Sequence, residues 1–513
     1  MKGASNGGRV LLACPSLPGP CNAVADAPVP ADILLEVGAI ARPLLNALAL
    51  LSHELLLFAA IWFAVFALDE LLVDLVWLRL KLGGRLRTPR IGEVSGAPRS
   101  GVMAVLVPAW RESRVIGAMV RHTFRAWPQA NLRVYVGCYR NDTETLAALV
   151  AAADGDARLR VVVHDRDGPT TKADCLNRLY RAVREDERRA NRQVRALVLH
   201  DAEDMVHPLA LAAMDEALDE VDFVQLPVRP EPQARSRWIA GHYCDEFAEA
   251  HARDMVVRDA IRAGLPSAGV GCAFARGAID RIMALRGAAE PFAAESLTED
   301  YECGLLVAEA GGRSRFLRLR DAQGALVATR EFFPSALPAA VRQKTRWVHG
   351  IAFQGWDRLG WGCSARGLPC CDLWMRLRDR RGPLVALALS AAYLLVLLWP
   401  ALFAAEALGL VEAVPEGPLL RALVWFNAAC LVWRVVLRSA FTSREYGWRE
   451  GLLAVARLPV SNVIAIMAAR RALVAYLRVL RGGRLRWEHT VHGLHVAQAI
   501  MPEGQPATRL APA

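Results

Sequence analysis

Three carboxylates crowd together after an apolar run near the middle of the chain. In "LVLHDAEDMVHP" (residues 197–208), Asp201, Glu203 and Asp204 stand within four residues. Like charges at this spacing repel one another, so the cluster indicates a cationic partner. Mg²⁺ and Mn²⁺ prefer oxygen ligands and are commonly held by one or two carboxylates together with substrate phosphates. The sequence therefore predicts a Mg²⁺ or Mn²⁺ site at this cluster.

A zinc site built from His200 and His207 is the alternative for the same stretch. Zinc sites commonly use histidine and cysteine ligands at close, regular spacing. These two histidines stand seven residues apart, across a loop that contains three acids. The spacing therefore favours Mg²⁺ or Mn²⁺ over zinc.

A second stretch, "GPTTKADCLN" (168–177), places two hydroxyls and one amine at the start of a predicted helix. Thr170, Thr171 and Lys172 stand at its first turn, where exposed N–H groups favour anions. Two threonines before a helix are also typical of a plain N-cap. Beside a metal-binding edge, however, the stretch indicates a nucleotide-diphosphate site.

A third motif, "ESLTEDYECG" (295–304), sets Thr298, Glu299 and Asp300 at the start of another predicted helix. Acids at a helix N-terminus interact favourably with the helix dipole, whether or not they do chemistry. Taken singly, the motif is therefore also typical of a structural helix start.

A fourth motif, "VRQKTRWVHGIAFQGW" (341–356), places Gln343, Arg346 and Trp347 ahead of an apolar span. Tryptophan is enriched at membrane–water interfaces. An interfacial belt of tryptophan and arginine is therefore the structural alternative to a binding role.

The elements that must position these motifs alternate between strands and helices. Short β-rich runs occur at 101–110, 132–139, 159–165 and 195–204. Helical stretches separate them, near 112–126, 143–153 and 173–188. This alternation predicts an α/β fold with a Rossmann-like, mostly parallel sheet and helices on both faces. Because ligands bind beyond the carboxyl ends of such strands, Pro108–Glu112, Cys138–Asp142 and Asp201–Asp204 should line one rim.

The composition indicates a membrane protein with transmembrane helices. Hydrophobic residues make up 54% of the 513 residues, more than a soluble domain usually contains. Residues 383–405 carry no charged side chain and form the clearest predicted span. Another span is predicted at 44–68. A weaker one, 418–437, includes Arg421 and Arg434, and arginine near a helix end can reach the headgroups.

A further apolar segment, 452–468, is interrupted by Arg457, Pro459 and Asn462 and is flanked by arginines. These features favour a helix lying in the membrane interface, with a fourth span as the alternative. The sequence thus predicts three spans and an interfacial amphipathic region.

The net charge of +10 is concentrated beside the predicted spans. Basic residues follow the first span and precede the second, whereas residues 401–420 hold three glutamates and no basic residue. The positive-inside rule places the N-terminus and residues 401–420 outside, and residues 80–382 and the C-terminus in the cytoplasm. Nucleic-acid binding is disfavoured, because it calls for basic and aromatic residues interleaved on one domain.

These features divide the chain into seven segments. Residues 1–42, rich in Gly, Pro and Ala, are predicted to be disordered, and 43–82 hold the first transmembrane helix and a basic linker. The others are the cytoplasmic domain with the motifs (95–356), a linker (357–382), two transmembrane helices (383–440), the interfacial region (441–490) and a C-terminal tail (491–513).

The order of the motifs resembles family-2 glycosyltransferases of the cellulose-synthase kind. Pro-Ala-x-x-Glu, the lysine of "TKADCLN", Asp-x-Glu, Thr-Glu-Asp and Gln-x-x-Arg-Trp follow one another over residues 100–356. Three stretches are similar in sequence to the bacteriophage adsorption protein B group of the inner membrane, namely "LVPAWRESRVIG", "LPSAGVGCAFAR" and "AVRQKTRWVHGIAFQG". The resemblance implies a GT-A fold and an inverting hexosyltransferase.

The resemblance also implies roles for individual residues. Asp201 and Glu203 correspond to the Asp-x-Asp motif that binds Mg²⁺ or Mn²⁺, and Asp300, with Glu299 beside it, to the catalytic base. The implied nucleotide-sugar contacts are Pro108, Ala109, Glu112, Asp142, Lys172 and Asp201. The implied contacts of the diphosphate and acceptor are Gly269, Gly271, Gln343, Arg346 and Trp347.

The implied donor is a nucleotide-diphosphate sugar with uridine as its base, and the acceptor is a growing glycan or a lipid. The resemblance implies a multi-pass protein of the bacterial inner membrane that builds a cell-surface polysaccharide. The chain would serve as a phage receptor or make one, with an outer-membrane export or adsorption partner. Two alternatives stay open, namely single-sugar transfer to a lipid carrier and a non-catalytic phage-adsorption scaffold.

Three features depart from the family pattern. Many members carry a base-reading aspartate after the second strand, but this chain has Cys138 and Tyr139 there, which leaves Asn141 and Asp142. Lys344 replaces a common arginine and keeps the charge without the planar bidentate geometry. Longer members carry a C-terminal domain that senses cyclic di-GMP, and the expectation of such regulation does not extend to this sequence.

Overall fold

The computed structural model describes residues 31–92, 101–362, 365, 368–412, 414–483 and 494–500, with side chains from residue 42 onward. Most of the predicted disordered N-terminus (1–42) and C-terminal tail (491–513) lies outside these residues. Helix α1 (Ala31–Leu82) begins at residue 31 rather than at 43. The stretch "ADILLEVGAIAR" contains many strong helix formers and no proline, which explains the earlier start.

The strands form two sheets. Their bounds are β1 Met103–Pro108, β2 Leu132–Tyr139, β3 Leu159–His164, β4 Ala196–Leu199, β5 Phe223–Gln225, β6 Val228–Pro230, β7 Cys272–Ala275, β8 Ser314–Phe316 and β9 Thr329–Glu331. The larger sheet has the spatial order β3-β2-β1-β4-β7-β5-β8. Neighbours are parallel except at β7, which runs antiparallel to β4 and β5. The predicted mostly parallel sheet is confirmed.

The smaller sheet pairs β6 with β9 in parallel. The backbone of Arg330 in β9 also pairs with Met205, through two hydrogen bonds of 2.8 and 3.0 Å. Because Met205 lies in the acidic loop that follows β4, β9 lies beside this loop.

Helices cover both faces of the larger sheet. Their bounds are α2 Ile116–Ala126, α3 Thr143–Ala153, α4 Lys172–Ala190, α5 Ala210–Ala217, α6 Ile239–Ala252, α7 Asp254–Ala260, α8 Arg276–Arg286, α9 Glu299–Glu309, α10 Leu337–Val348, α11 Gly355–Leu359 and α12 Pro369–Arg380. In β1, Val105 packs with α2, α3 and α5 on one face, whereas Leu106 packs with α4 and α8 on the other. This alternation within one strand is typical of a sheet buried on both faces.

Four helices of the described residues are long and apolar enough to cross a membrane. Three match the predicted spans, namely α1, α13 (Gly382–Ala407) and α14 (Pro418–Tyr446). The fourth, α15 (Trp448–Leu480), runs without a break through Pro459. A short helix, α16 (Val496–Ile500), follows it.

Two compact units divide the chain. Residues 55–395 and those from 416 onward form the larger unit, and residues up to 54 with 396–415 form the smaller. The predicted linker (357–382) lies in the larger unit, where it contains helix α12. The fully buried Arg376 and Met375 anchor this helix, so the linker is a packed element rather than a free connection.

Candidate active site

A cavity of about 470 Å³ lies beyond the carboxyl ends of β1, β2 and β4. It brings together most of the residues that the four motifs predict. The predicted residues among its lining are Pro108, Ala109, Glu112, Lys172, Asp201, Glu203, Glu299, Asp300, Gln343, Arg346 and Trp347. Motifs up to 240 residues apart in the chain thus share one space.

Lys172 lies at the start of α4, and its Nζ is 2.6 Å from Oδ1 of Asp201. Thr171 is the N-cap, since its hydroxyl accepts from the N–H of Asp174 at 3.2 Å. Thr170 lines the cavity, and its hydroxyl is 2.6 Å from that of Tyr139. The plain N-cap interpretation therefore describes Thr171, although all three residues line the cavity.

The acidic loop after β4 contains one structural acid. Asp204 is fully buried, and its Oδ2 accepts from the N–H of Asp201 at 3.0 Å and lies 2.7 Å from Nδ1 of His200. Asp201 and Glu203 instead line the cavity. Asp204 therefore shapes the loop that presents the other two carboxylates.

The structure separates the two histidines of the zinc alternative. His200 pairs with Asp204, whereas Nε2 of His207 lies 3.3 Å from Asp321. Across the described residues, no group of three His, Cys, Asp or Glu side chains is arranged to hold a metal ion. Any cation at Asp201 and Glu203 would thus take its remaining ligands from water or from a substrate, as Mg²⁺ commonly does.

Glu331, at the end of β9, is an acid that sequence reasoning missed. It lines the cavity, and burial, together with repulsion from Asp204, Glu203 and Asp201, raises its pKa well above the ordinary value. This excess of buried negative charge, together with carboxylate oxygens as donors, fits a divalent cation. In the sequence Glu331 is one acid inside "TREFFP", with no spacing that connects it to the loop after β4.

Glu299 and Asp300 begin α9 and are both buried around the cavity. Burial and the adjacent Asp300 raise the pKa of Glu299 to about 8. Burial also raises the pKa of Asp300, although the ammonium group of Lys172 opposes the shift. Oδ1 of Asp300 accepts from the N–H of Tyr301 at 2.7 Å. A raised pKa makes a carboxylate a stronger base.

Neither Gly269 nor Gly271 lines the cavity, but Gly269 lies beside Asp300. Gly269 has φ +74, and a Cβ there would come within 2.0 Å of Oδ2 of Asp300. Gly271 has φ +58, and a Cβ would come within 2.2 Å of the Thr329 hydroxyl. Glycine is therefore required at both positions, and Gly269 leaves Asp300 its place beside the cavity.

Helix α10 presents Gln343, Arg346 and Trp347 to the cavity. The Trp347 ring is 6.3 Å from the rings of Phe247 and Phe333, which form an aromatic wall with it. Lys344 points away and pairs with Glu246. The arginine-to-lysine departure therefore falls on a position outside the cavity.

Several oxygens on this side are buried and unsatisfied. Oε1 of Gln343, Oε1 of Glu299 and the hydroxyl of Thr298 have no hydrogen-bond partner among the described residues. All three residues line the cavity. Because buried polar groups are almost always paired, these oxygens indicate that a polar ligand completes the site.

Asp142 lies outside the cavity, in contrast to its predicted contact with the donor. Its carboxylate accepts from the N–H of Arg111 at 2.5 Å and from the N–H of Thr145 at 3.4 Å, which caps α3. Arg111 has φ +58, so the carboxylate stabilises a left-handed turn. Asn141 is equally occupied, through two 2.8 Å hydrogen bonds with Gly168.

Aromatic residues take the place where a base-reading acid was expected. Trp110 and Tyr139 line the cavity, with ring centroids 5.1 Å apart. Tyr139 also stacks on His164 at 5.0 Å. Other unpredicted residues that line the cavity are Gln225, Phe247, His251, Met255, Phe333 and Asp379. They come from β5, α6, α7, α12 and a loop, where no motif marks them.

Similarity to known proteins agrees with this geometry. Residues 98–350 match the model of the family described as "Glycosyltransferase like family 2". The matched residues include most of those that line the cavity. The chain is similar to bacteriophage adsorption protein B of Escherichia coli strain K12, with 34% identity over 456 residues, 83% of this chain and 60% of that protein.

The bacteriophage N4 adsorption protein B of Escherichia coli O157:H7 gives the same values. The chain thus spans 60% of the length of these curated relatives. Among solved structures, the mannosyltransferase PcManGT from Pyrobaculum calidifontis, in complex with GDP-Man and Mn²⁺, is 17% identical. Its TM-score is 0.45, over 82% of this chain and 99% of that one.

Proposed function

We propose that this chain transfers a sugar from a nucleotide-diphosphate donor to a hydroxyl acceptor, with inversion at the anomeric carbon, and builds a cell-surface polysaccharide. One observation carries the proposal. A single cavity is lined by Lys172 and the acidic loop, by Arg346 and Trp347, and by Asp300, which interacts electrostatically with both Lys172 and Arg346. The arrangement supports a cationic site for diphosphate next to a base and an apolar sugar surface.

The donor binds where the positive charge lies. Lys172 and Arg346 stabilise the charge that develops on the departing diphosphate. Asp201 and Glu203, with Glu331 nearby, would hold Mg²⁺ or Mn²⁺, which supplies further positive charge to the leaving group when bound. Trp110 and Tyr139 offer the base an aromatic surface, and we propose uridine as that base.

Asp300 accepts the proton of the acceptor hydroxyl. Burial and the adjacent Asp300 raise the pKa of Glu299 to about 8, which disfavours two ionised carboxylates side by side, and we propose that Asp300 is the one that acts as the base. The hydroxyl then attacks the anomeric carbon from the face opposite the diphosphate. Attack from that face inverts the anomeric configuration.

The acceptor side favours a growing glycan. Trp347, Phe247 and Phe333 present flat apolar faces, on which sugar rings can stack. Transfer of a single sugar to a lipid carrier is the alternative, since an apolar wall also suits a lipid. A non-catalytic scaffold is disfavoured, because buried unbalanced acids would serve no purpose in it.

We propose three membrane spans, with α15 on the cytoplasmic surface of the inner membrane. Arg457 of α15 lies 3.1 Å from Asp245 of α6, and the Tyr476 hydroxyl lies 2.8 Å from Asp357. Contacts 19 residues apart along one helix thus reach the same domain, whereas a crossing helix would leave it. A reporter inserted after Arg90 should report cytoplasm, and one near residue 414 should report periplasm. A periplasmic signal after Arg90 would contradict this topology.

The central test offers purified membranes a panel of nucleotide sugars with Mg²⁺ or Mn²⁺ and measures the release of nucleoside diphosphate. We expect release with one sugar, and loss of release in EDTA and in the Asp201→Asn variant. Full activity in EDTA would remove the metal assignment. A radiolabelled product that forms a ladder on a gel supports polymerisation, whereas one size supports transfer to a lipid carrier.

The names of the relatives connect them with phage adsorption. We propose that the glycan, or the protein itself, acts as a phage receptor together with an outer-membrane partner for export or adsorption. Cells that carry inactive but membrane-inserted Asp201→Asn distinguish the two. If the glycan is the receptor, these cells lose phage adsorption, and if the protein is, they keep it.

A further inference from the structure

The acidic loop, residues 201–207, is anchored by hydrogen bonds to its backbone carbonyls. Nε2 of His122, in α2, donates to the carbonyl of Val206 at 2.9 Å. Nε1 of Trp127, just after α2, donates to the carbonyl of His207 at 3.0 Å. Both contacts hold the part of the loop that follows the predicted metal ligands.

A third contact comes from a segment 291 residues further along the chain. Nε2 of His495 lies 3.0 Å from the carbonyl oxygen of Asp204. Nδ1 of the same ring accepts from the N–H of Ala497 at 3.1 Å. A carbonyl oxygen can only accept, so the ring carries its proton on Nε2 and both nitrogens are satisfied.

His495 is inserted rather than laid on the surface. Its side chain is fully buried, and Val496 beside it is 1% exposed. The N–H of His495 donates to Oε1 of Gln498 at 3.0 Å, which closes a short turn around the ring. Leu494, the residue before it, is 49% exposed and takes no part. The segment therefore presents one ring to the loop.

Asp204 connects this ring to the cavity. Its carboxylate accepts from the N–H of Asp201 at 3.0 Å, and its own N–H donates to the carbonyl of Asp201 at 3.2 Å. The turn from 201 to 204, with Glu203 inside it, is thus closed at both ends. A change at the Asp204 carbonyl tilts the peptide group that ends this turn and displaces both cavity-facing carboxylates.

We infer that His495 is a positioning residue of the metal site. The segment 494–500 packs behind the acidic loop and holds Asp201 and Glu203 in a cation-binding arrangement. The inference rests on the proposed function. It adds that residues beyond the last long helix form part of the catalytic site, so the α/β domain without this segment should bind metal weakly.

Two variants of similar size distinguish loss of the hydrogen bond to Asp204 from loss of the local fold. His495→Gln keeps an N–H donor at the distance of Nε2. His495→Asn can accept from the N–H of Ala497 but is too short to reach Asp204. Leu494→Ala is the control, because its side chain is exposed.

The experiment titrates Mn²⁺ alone into the full chain in detergent and follows the free Mn²⁺ signal by electron paramagnetic resonance. Loss of a contact that orients metal ligands typically weakens metal affinity about 10-fold or more. We expect that loss for His495→Asn, with affinity within about 2-fold of wild type for His495→Gln and no change for Leu494→Ala. Activity of His495→Asn should recover at saturating Mn²⁺, which a loss of folding would not allow.

Equal Mn²⁺ affinity in wild type and His495→Asn overturns the inference. Equal weakening in both His495 variants, with equally lowered thermal unfolding midpoints, shows a structural tether and also overturns it. If wild type and Asp201→Asn bind Mn²⁺ alike, the proposed metal site itself fails and the inference falls with it. The Asp201→Asn titration therefore distinguishes the two failures.

Discussion

Two groups of acidic side chains are buried in this protein, and they differ in what neutralises them. The first lies around the cavity and includes Asp201, Glu203, Glu299, Asp300 and Glu331. The second lies where helix α1 meets the α/β domain and consists of Asp69, Glu70, Asp74, Glu249 and Asp254. We call them the cavity acids and the helix-junction acids.

Arginines match the helix-junction acids closely. Arg253 is 1% exposed, and its guanidinium lies 2.6 Å from Asp74 and 2.5 Å from Glu70. Arg378 lies 3.0 Å from Glu70. Arg381 and Arg434 complete the network. Acid and base are nearly equal in number here, as expected of a buried network that holds elements together.

Fewer basic than acidic side chains line the cavity. Among the described residues, the basic side chains that line the cavity are Lys172 and Arg346, apart from the neutral ring of His251. Burial and neighbouring acids raise the pKa of Glu299 and that of Glu331. Charge balance, rather than burial or the number of acids, therefore distinguishes a binding site from a structural network in this protein.

The largest expected effect is at Asp300. Loss of a general base typically slows the reaction by 10²–10⁴-fold, roughly 3–5 kcal/mol of barrier. Asp300→Asn keeps size and packing, so the variant should fold and bind nucleotide sugar, yet release almost no diphosphate. In wild type the rate should fall as pH drops through the raised pKa of Asp300, because only the ionised form accepts a proton.

Glu299→Gln is the matched control for this prediction. Because the pKa of Glu299 is raised to about 8, its neutral form already dominates at pH 7 and the amide replaces it closely. Rates of both variants are measured with the same membranes and donor. An equal loss at both positions, or a loss of ten-fold or less at Asp300→Asn, would rule out Asp300 as the base.

A substitution that disrupts the helix-junction acids should change the free energy of unfolding by a similar amount, rather than the reaction barrier. Arg253→Met removes the cation between Glu70 and Asp74 and leaves buried charge unmatched, which typically costs about 3–5 kcal/mol of folding free energy. The thermal unfolding midpoint in detergent measures it. Arg189→Met is the control, because Arg189 is exposed and its pair with Glu185 should contribute less than about 1 kcal/mol.

Folded Arg253→Met protein should keep its affinity for Mn²⁺ and donor, since this network lies outside the cavity. A selective loss of donor affinity without loss of stability would contradict the division into two groups.

Glu331→Gln should raise the stability of the protein, in contrast to Arg253→Met. The pKa of Glu331 is raised well above its ordinary value, so its charged form is disfavoured in the folded protein. Stability of wild type without metal should therefore fall as pH rises above the ordinary carboxyl range. The amide removes this fall, and at pH 8 we expect a gain of at least about 1 kcal/mol.

The same variant should bind Mn²⁺ less tightly, because it removes negative charge from the site. Calorimetry with and without Mn²⁺ measures both effects, and Glu185→Gln on the exposed face of α4 is the control. Lower stability together with unchanged Mn²⁺ affinity would place Glu331 among structural acids.

Much of the fold could be predicted from the sequence, because its signals are local. The β-rich runs at 101–110, 132–139 and 159–165 became strands with nearly the predicted bounds, whereas the run at 195–204 is a strand only over Ala196–Leu199. The carboxyl ends of parallel strands meet at one edge, so the motifs that follow them share one cavity. The long helices α1, α13 and α14 followed from apolar length alone.

The rest depends on contacts between distant residues. Glu331 reaches the cavity only because β9 pairs with Met205, and no spacing in the sequence announces that pairing. Asp142 was assigned to the donor, but the left-handed turn at Arg111 takes its carboxylate. His495 contacts Asp204 across 291 residues. Such contacts are decided by how elements pack, not by the pattern within any one of them.

The smallest predicted effect tests the apolar side of the cavity, away from both groups of acids. Trp347→Ala removes a flat ring that packs 6.3 Å from Phe247 and Phe333. Stacking of a base on an aromatic side chain contributes roughly 1–3 kcal/mol, and for a sugar ring we expect the lower end of that range. The variant should make shorter chains while its donor affinity stays unchanged, because Lys172 and the acidic loop are intact.

Product length on a gel and KM for the nucleotide sugar separate the two interpretations of this residue. Trp347→Phe should restore most of the chain length, since it keeps an aromatic face. Trp356→Ala is the control, because Trp356 is 43% exposed and lies outside the cavity lining. A rise in KM for the donor without shorter product would make Trp347 a structural residue of the membrane interface and would leave the acceptor side without its proposed sugar platform.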